Sequence, residues 1–122
     1  MELWLHDNEI YYLPDSIGSL TKLVELRLDY NELRRVPTTL EGLKNLKVLH
    51  LHHNKIRVVP PEIFSLPFLE TLSLDHNNIS SIAKGVDLSQ MKSLKTLLLD
   101  DNRLEEIPIE FGTFLSLRIS QL

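Results

Sequence analysis

Leucines recur in this chain at two interlocked spacings. Within a short stretch they alternate with polar residues, as in Leu26-Arg27-Leu28, and an Asn and a further apolar residue follow at fixed offsets. The frame L-x-L-x-x-N-x-(L/I) appears five times, at Leu3/Leu5/Asn8/Ile10, Leu26/Leu28/Asn31/Leu33, Leu49/Leu51/Asn54/Ile56, Leu72/Leu74/Asn77/Ile79 and Leu97/Leu99/Asn102/Leu104. Successive Asn residues lie 23, 23, 23 and 25 positions apart. A period of this length predicts one supersecondary unit stacked on copies of itself. Each unit then packs only on its neighbours, and there is no single central core.

The segment Leu23 to Leu46 shows what one unit requires. Alternation with period two puts Leu26 and Leu28 on one side of a short strand and Arg27 on the other. Asn31 turns the chain. Its side chain carries an acceptor and two donors, enough to satisfy turn backbone groups buried under the next unit. Leu33 and Val36 return to the core, Pro37 blocks strand pairing where it stands, and Leu40 and Leu43 close the unit on the far side. Stacked strands pair in parallel about 4.8 Å apart. The return segment is wider, so the stack curves with the sheet inside. Pro14, Pro37, Pro60, Pro61 and Pro108 and the short period favour irregular backbone or 3-10 turns over a long α-helix on the outside. The expected fold is therefore an α/β-type repeat solenoid with short parallel strands on the concave face and irregular or 3-10 turns on the convex face. The fourth unit departs from the others. It has Ala83 where they have Pro, followed by Lys84-Gly85-Val86-Asp87-Leu88, and it holds 25 residues instead of 23. The extra residues read as a tolerated outer bulge, with a contact loop as the competing reading.

Composition narrows the function classes. The chain of 122 residues has 13 Lys and Arg against 17 Asp and Glu, for a net charge of −4. This mild acidity argues against a nucleic-acid partner, whose binding rests on basic side chains. No apolar run approaches the roughly 18 residues of a membrane span, and the first residues show no charged stretch followed by an apolar one, so no signal peptide is expected. With no cysteine, a reducing compartment is favoured, and a cytoplasmic location is expected.

These residues resemble the leucine-rich repeat family, whose pattern is L-x-x-L-x-L-x-x-N-x-L. The segment Leu13-Pro14-Asp15-Ser16-Ile17-Gly18-Ser19-Leu20-Thr21-Lys22-Leu23 looks like the L-P-x-x-(I/L)-G-x-L-x-x-L of the family's intracellular class. That class includes Ras-group repeat proteins, Scribble-like scaffolds and the repeat regions of Roco GTPases. The resemblance implies repeats at about 1–22, 23–45, 46–68, 69–93 and 94–116, with a partial sixth at 117–122. It implies a protein-binding surface, usually the concave sheet. Neither end shows a recognisable cap. Leu3, Leu5, Ile10 and Leu13 are expected to lie bare at one end, so a fragment of a longer array and end-to-end self-association are both expectations.

The inner face can be read as columns crossing the strands. The first is Glu2, Glu25, Val48, Thr71 and Thr96; the second is Trp4, Arg27, His50, Ser73 and Leu98. The third is His6, Asp29, His52, Asp75 and Asp100; the fourth is Asp7, Tyr30, His53, His76 and Asp101. All five histidines and the lone Trp fall in these columns. Seven acids against one Arg put about −6 on this face, which leaves about +2 for the rest of the chain. An acidic face with aromatic anchors suits a basic protein patch. The expected contact residues are Trp4, His6, Arg27, Asp29, Tyr30, His50, His52, His53, Asp75, His76, Leu98 and Asp100.

Other chemistries fare worse. His50 and His52 share a strand face, and His53 and His76 should be cross-strand neighbours with Asp75 close by. An open sheet supplies no enclosing shell for a metal, so no resident metal and no cofactor is expected. Ser73, His50 and Asp75 supply the residue types of a catalytic triad, but no nucleophile elbow or oxyanion hole accompanies them. The four glycines are scattered and build no phosphate loop. The leading expectation is a non-enzymatic protein-interaction module in intracellular signalling or scaffolding. The alternative is a regulatory repeat segment or truncated piece of a larger signalling enzyme, such as a Roco GTPase, a cyclase or a ubiquitin ligase.

Overall fold

The computed structural model describes residues 1–82 and 92–105. Three-residue strands β1 (Glu2–Trp4), β2 (Glu25–Arg27), β3 (Val48–His50), β5 (Thr71–Ser73) and β7 (Thr96–Leu98) form one parallel sheet in the order β1-β2-β3-β5-β7. The register is unbroken: Leu3, Leu26, Leu49, Leu72 and Leu97 stand opposite one another, each with the same flanking pairs. The shared L-x-L frame of the strands leaves no other register that keeps every leucine on the core side. Leu26, Leu28, Leu49, Leu51, Leu72, Leu74 and Leu97 are fully or almost fully buried. Burying one such side chain contributes about 1.5–3 kcal/mol.

The Asn ladder holds the turns that follow the strands. Asn54 Nδ2 donates to Leu28 O, 3.0 Å away in the preceding unit, and to Leu51 O at 3.0 Å in its own. Its Oδ1 accepts from the Leu33 N–H of the preceding unit at 3.0 Å. Asn31, Asn77 and Asn102 repeat the arrangement. The side chain thus stitches its turn backwards onto the unit before it, whereas the sequence alone suggested that it serves groups under the next unit.

On the far side, 3-10 segments span Asp15–Ser19, Thr38–Gly42 and Pro61–Ser65. Each follows a proline in extended backbone (Pro14, Pro37, Pro60) and buries one or two apolar residues: Ile17, Leu40, and Ile63 with Phe64. The first two pack so closely that a Cβ on Gly42 would stand 2.3 Å from the Gly18 carbonyl oxygen, a distance only glycine tolerates. A second, two-stranded parallel sheet pairs β4 (Val58–Val59) with β6 (Ser81–Ile82). Irregular or 3-10 backbone was expected here. Pro60 removes only its own N–H, and it pushes the residue before it toward extended geometry, so the pair ahead of it is free to bond.

Leu13 is 7 % exposed and belongs to the core, contrary to the expectation that it lies bare; Leu3, Leu5 and Ile10 are partly buried. The insertion at 83–88, Pro108 and the partial sixth unit at 117–122 lie outside the described residues. No helix among the described residues is long and apolar enough to cross a membrane.

Candidate functional site: an aromatic and acidic strand face

Strand alternation turns Trp4, Arg27, His50, Ser73 and Leu98 away from the leucine core, in one row across the sheet. Trp4 is 55 % exposed. The next row, His6, Asp29, His52, Asp75 and Asp100, is less uniform. Asp29 is only 1 % exposed, so it is not a contact residue in its own right. Arg27 grips its carboxylate with both Nε and Nη2, at 3.3 and 2.9 Å, and His52 Nε2 lies 3.5 Å away. Burial pushes the Asp29 carboxyl up. The Arg27 hydrogen bond, a backbone N–H and the nearby His52 and Arg27 charges outweigh it, and the group ends below the usual carboxylate range. His52 is held below the usual histidine value, because burial outweighs the pull of Asp29 and Asp75. The Asp29 hydrogen bond raises Arg27 further, so the pair is a fixed ionic underlayer.

The fourth row has a backbone feature of its own. Asp7, Tyr30, His53, His76 and Asp101 all adopt left-handed backbone, with φ of 58, 57, 57, 55 and 55°. Asp and His enter this region more readily than most residues, but Tyr rarely does. Bonds to the next unit maintain it: Asp7 N–H donates to Asp29 O (3.1 Å), Tyr30 to His52 O (3.1 Å), His53 to Asp75 O (3.1 Å) and His76 to Asp100 O (3.0 Å). Repeating the same turn in each unit lays the side chains over one another. Tyr30 and His53 stack with ring centroids 4.2 Å apart and planes 8° from parallel. His53 and His76 stack at 4.2 Å and 14°. His52 meets Tyr30, His53 and His50 edge-on, and Trp4 meets His6 in the same manner. His76 Nε2 ends the stack 3.2 Å from Asp101 Oδ2.

The columns read from the sequence therefore exist, and the structure joins Tyr30, His50, His52, His53 and His76 into one aromatic surface. Leu98 and Asp100 lie at its β7 edge. Asp101 belongs to the fourth column and to the acids of the face but not to the expected contact residues; its place beside His76 was the signal available. His50 Nδ1 is 3.3 Å from Ser73 Oγ, but Ser73 is buried. Asp29 is engaged by Arg27 and His52, and Asp75 lies against His76. Among the described residues no carboxylate is paired with His50, so the triad types do not assemble into a relay.

A parallel strand ladder over an Asn ladder, backed by 3-10 turns, defines a repeat solenoid whose exposed chemistry lies on its strand face. The family model described as "Leucine rich repeat" matches residues 1–56 and 44–104, and the chain belongs to that family. No curated protein matches it significantly. Among solved structures it is similar to a leucine-rich repeat protein of Leptospira interrogans, with 27 % identity and a TM-score of 0.76 over 99 % of this chain and 37 % of that one. It also shares the fold of an internalin from Listeria monocytogenes, with 20 % identity and a TM-score of 0.78 over 99 % of this chain and 34 % of that one. The chain thus spans about a third of the length of these two proteins. Domains of this family are generally protein–protein interaction modules.

Proposed function

We propose that the strand face docks a basic segment of a partner protein, and that the chain acts in cytoplasmic scaffolding or signalling. The observation that carries this reading is the aromatic surface itself. Tyr30, 48 % exposed, His53 and His76 form a continuous stack beside Asp7, Asp75, Asp100 and Asp101. Ring edges and the two end faces of this stack, set among carboxylates, favour Arg and Lys side chains, which contact the aromatics and pair with the acids. Exposed aromatics are also the side chains that most often dominate binding energy. The intracellular placement draws on the Leu13-to-Leu23 motif and on the absence of cysteine.

Capture of partners from lysate tests it in three arms: the unaltered chain, Trp4→Ala/Tyr30→Asn, and Phe68→Ala. Asn is used at position 30 because it tolerates left-handed backbone. Phe68 is exposed but lies outside the strands. Partners should be lost with the first pair, retained with Phe68→Ala, and released by salt, since exposed charge pairs are screened. Retention with the strand-face pair and loss with Phe68→Ala would place recognition elsewhere.

A further inference from the structure

We propose that His53, Asp75 and His76 form a site for one divalent ion of the zinc class, with three protein ligands and an open position toward solvent. One ring nitrogen of each histidine and one oxygen of Asp75 lie within 4.8 Å of one another. A tetrahedral ion with bonds of about 2.0–2.2 Å needs donors about 3.3–3.5 Å apart. His76 Nε2 is 3.9 Å from Asp75 Oδ2, so a shift of a few tenths of an ångström at each side chain closes that edge. The stacked rings point their in-plane lone pairs side by side, not at one point. Binding therefore turns one ring, and His76, 40 % exposed, turns without disturbing the leucine core.

The sheet looked too open for a metal when only the sequence was considered. The fold supplies rigidity in another way. The His53 and His76 backbones are tied to the next unit by N–H bonds of 3.1 and 3.0 Å, and each is followed by a buried, hydrogen-bonded Asn54 or Asn77. Ligands carried on a fixed backbone lose little freedom on binding. Asp75 adds an independent indication. Its side chain is 15 % exposed, and its Oδ1 is shielded without a hydrogen-bond partner among the described residues. A carboxylate oxygen left in that state is costly, and a cation on the same group offsets the cost.

The donor set selects the ion. Two imidazoles and one carboxylate suit zinc and its first-row neighbours, and they are the ligands of open zinc sites. Calcium and magnesium prefer all-oxygen shells. A second group, His76, Asp100 and Asp101, shares His76. It has a single imidazole, and Asp101 is exposed, so it is the weaker candidate.

Isothermal titration with zinc chloride, and separately with calcium chloride, tests the site on five chains. These are the unaltered protein, His53→Asn, Asp75→Asn, Asp101→Asn and His6→Ala. Asn replaces His53 because it keeps the left-handed turn. The expected result is one zinc per chain, with affinity about tenfold or more weaker in His53→Asn and Asp75→Asn, since altering even the partners that orient a ligand costs about 10–100-fold. Asp101→Asn, which removes a charge beside His76 and no ligand, should lose less affinity than Asp75→Asn, His6→Ala should stay within about twofold, and calcium should not compete. Equal zinc uptake by all five chains, or loss with Asp101→Asn and not with Asp75→Asn, would overturn the proposal. Cobalt titration of the unaltered chain is independent of any variant. A visible absorption band of low-coordinate intensity, abolished by zinc, supports the site; only the weak band of a six-coordinate ion refutes it.

Discussion

Asp29 occupies a surface row by sequence register, yet its carboxylate is sealed under Arg27 and His52. Its worth is therefore structural. Removing its charge leaves the Arg27 guanidinium without its fork, and Asp29→Asn should lower stability at pH 7 by about 1–3 kcal/mol, the range for a buried charged hydrogen bond. The pH dependence follows from the direction of its shift. Asp29 in the fold sits below its usual value, while the unfolded chain titrates near ~3.9. Its contribution is thus fully present above about 3.9 and fades as pH falls through the lower folded value. Urea midpoints of the two chains should differ between pH 7 and pH 5 and converge below pH 4. A gap undiminished at pH 3 would mean that Asp29 is not the titrating group. Alternation marked Asp29 as facing away from the leucines, and that was right. Its burial was not legible, because it depends on two long side chains, Arg27 from its own strand and His52 from the next unit, folding over it.

At the scale of the element, the turn after each strand is the unit's weak point, and Asn is what holds it. Asn54 and Asn8 occupy the same place in the frame, but Asn54 is buried and bonded into the unit before it, whereas the Asn8 side chain is exposed and donates to Leu5 O and His6 O in its own turn. Asn54→Ala strands several buried backbone groups at about 1–3 kcal/mol each, so a loss of about 3 kcal/mol or more is expected. Asn8→Ala should cost about 1 kcal/mol or less, since water replaces its partners. Chemical denaturation of both variants checks the difference, and equal losses would contradict a ladder that runs between units. The frame L-x-L-x-x-N identified this Asn plainly. The left-handed backbone at Asp7, Tyr30, His53, His76 and Asp101 could not be read, because hydrophobic period reports which face a residue takes and not the sign of its φ. The β4–β6 pair was not expected either, because the prolines and the short period argue only against a long helix on the outside and do not show that the two residues ahead of Pro60 pair as strand.

Across the described residues, the principal contacts between elements run from each unit to the next, so stability should follow position in the stack. Leu49 is fully buried between strands on both sides, and Leu49→Ala should cost about 2–5 kcal/mol. Leu3 packs on one neighbouring strand and is partly exposed, so Leu3→Ala should cost clearly less. Urea unfolding followed by circular dichroism distinguishes the two, and equal losses would argue against nearest-neighbour coupling. The same stacking creates the surface. One exposed Tyr or His is unremarkable, but the fixed translation between units sets Tyr30, His53 and His76 in face-to-face contact and brings Asp75 and Asp101 to His76.

Period and alternation, both properties of the chain itself, determined the solenoid, the parallel register and the membership of each row, because leucine burial in every unit admits one arrangement. Tertiary structure alone decided which members of a row are surface and which are scaffold. It also decided that four histidines and a tyrosine share one contact network, and how near the expected neighbours His53, His76 and Asp75 bring their ligand atoms. Those outcomes depend on side chains from different units meeting at ångström distances, set by the left-handed turns and the bonds that hold them, and neither leaves a trace in hydrophobic period.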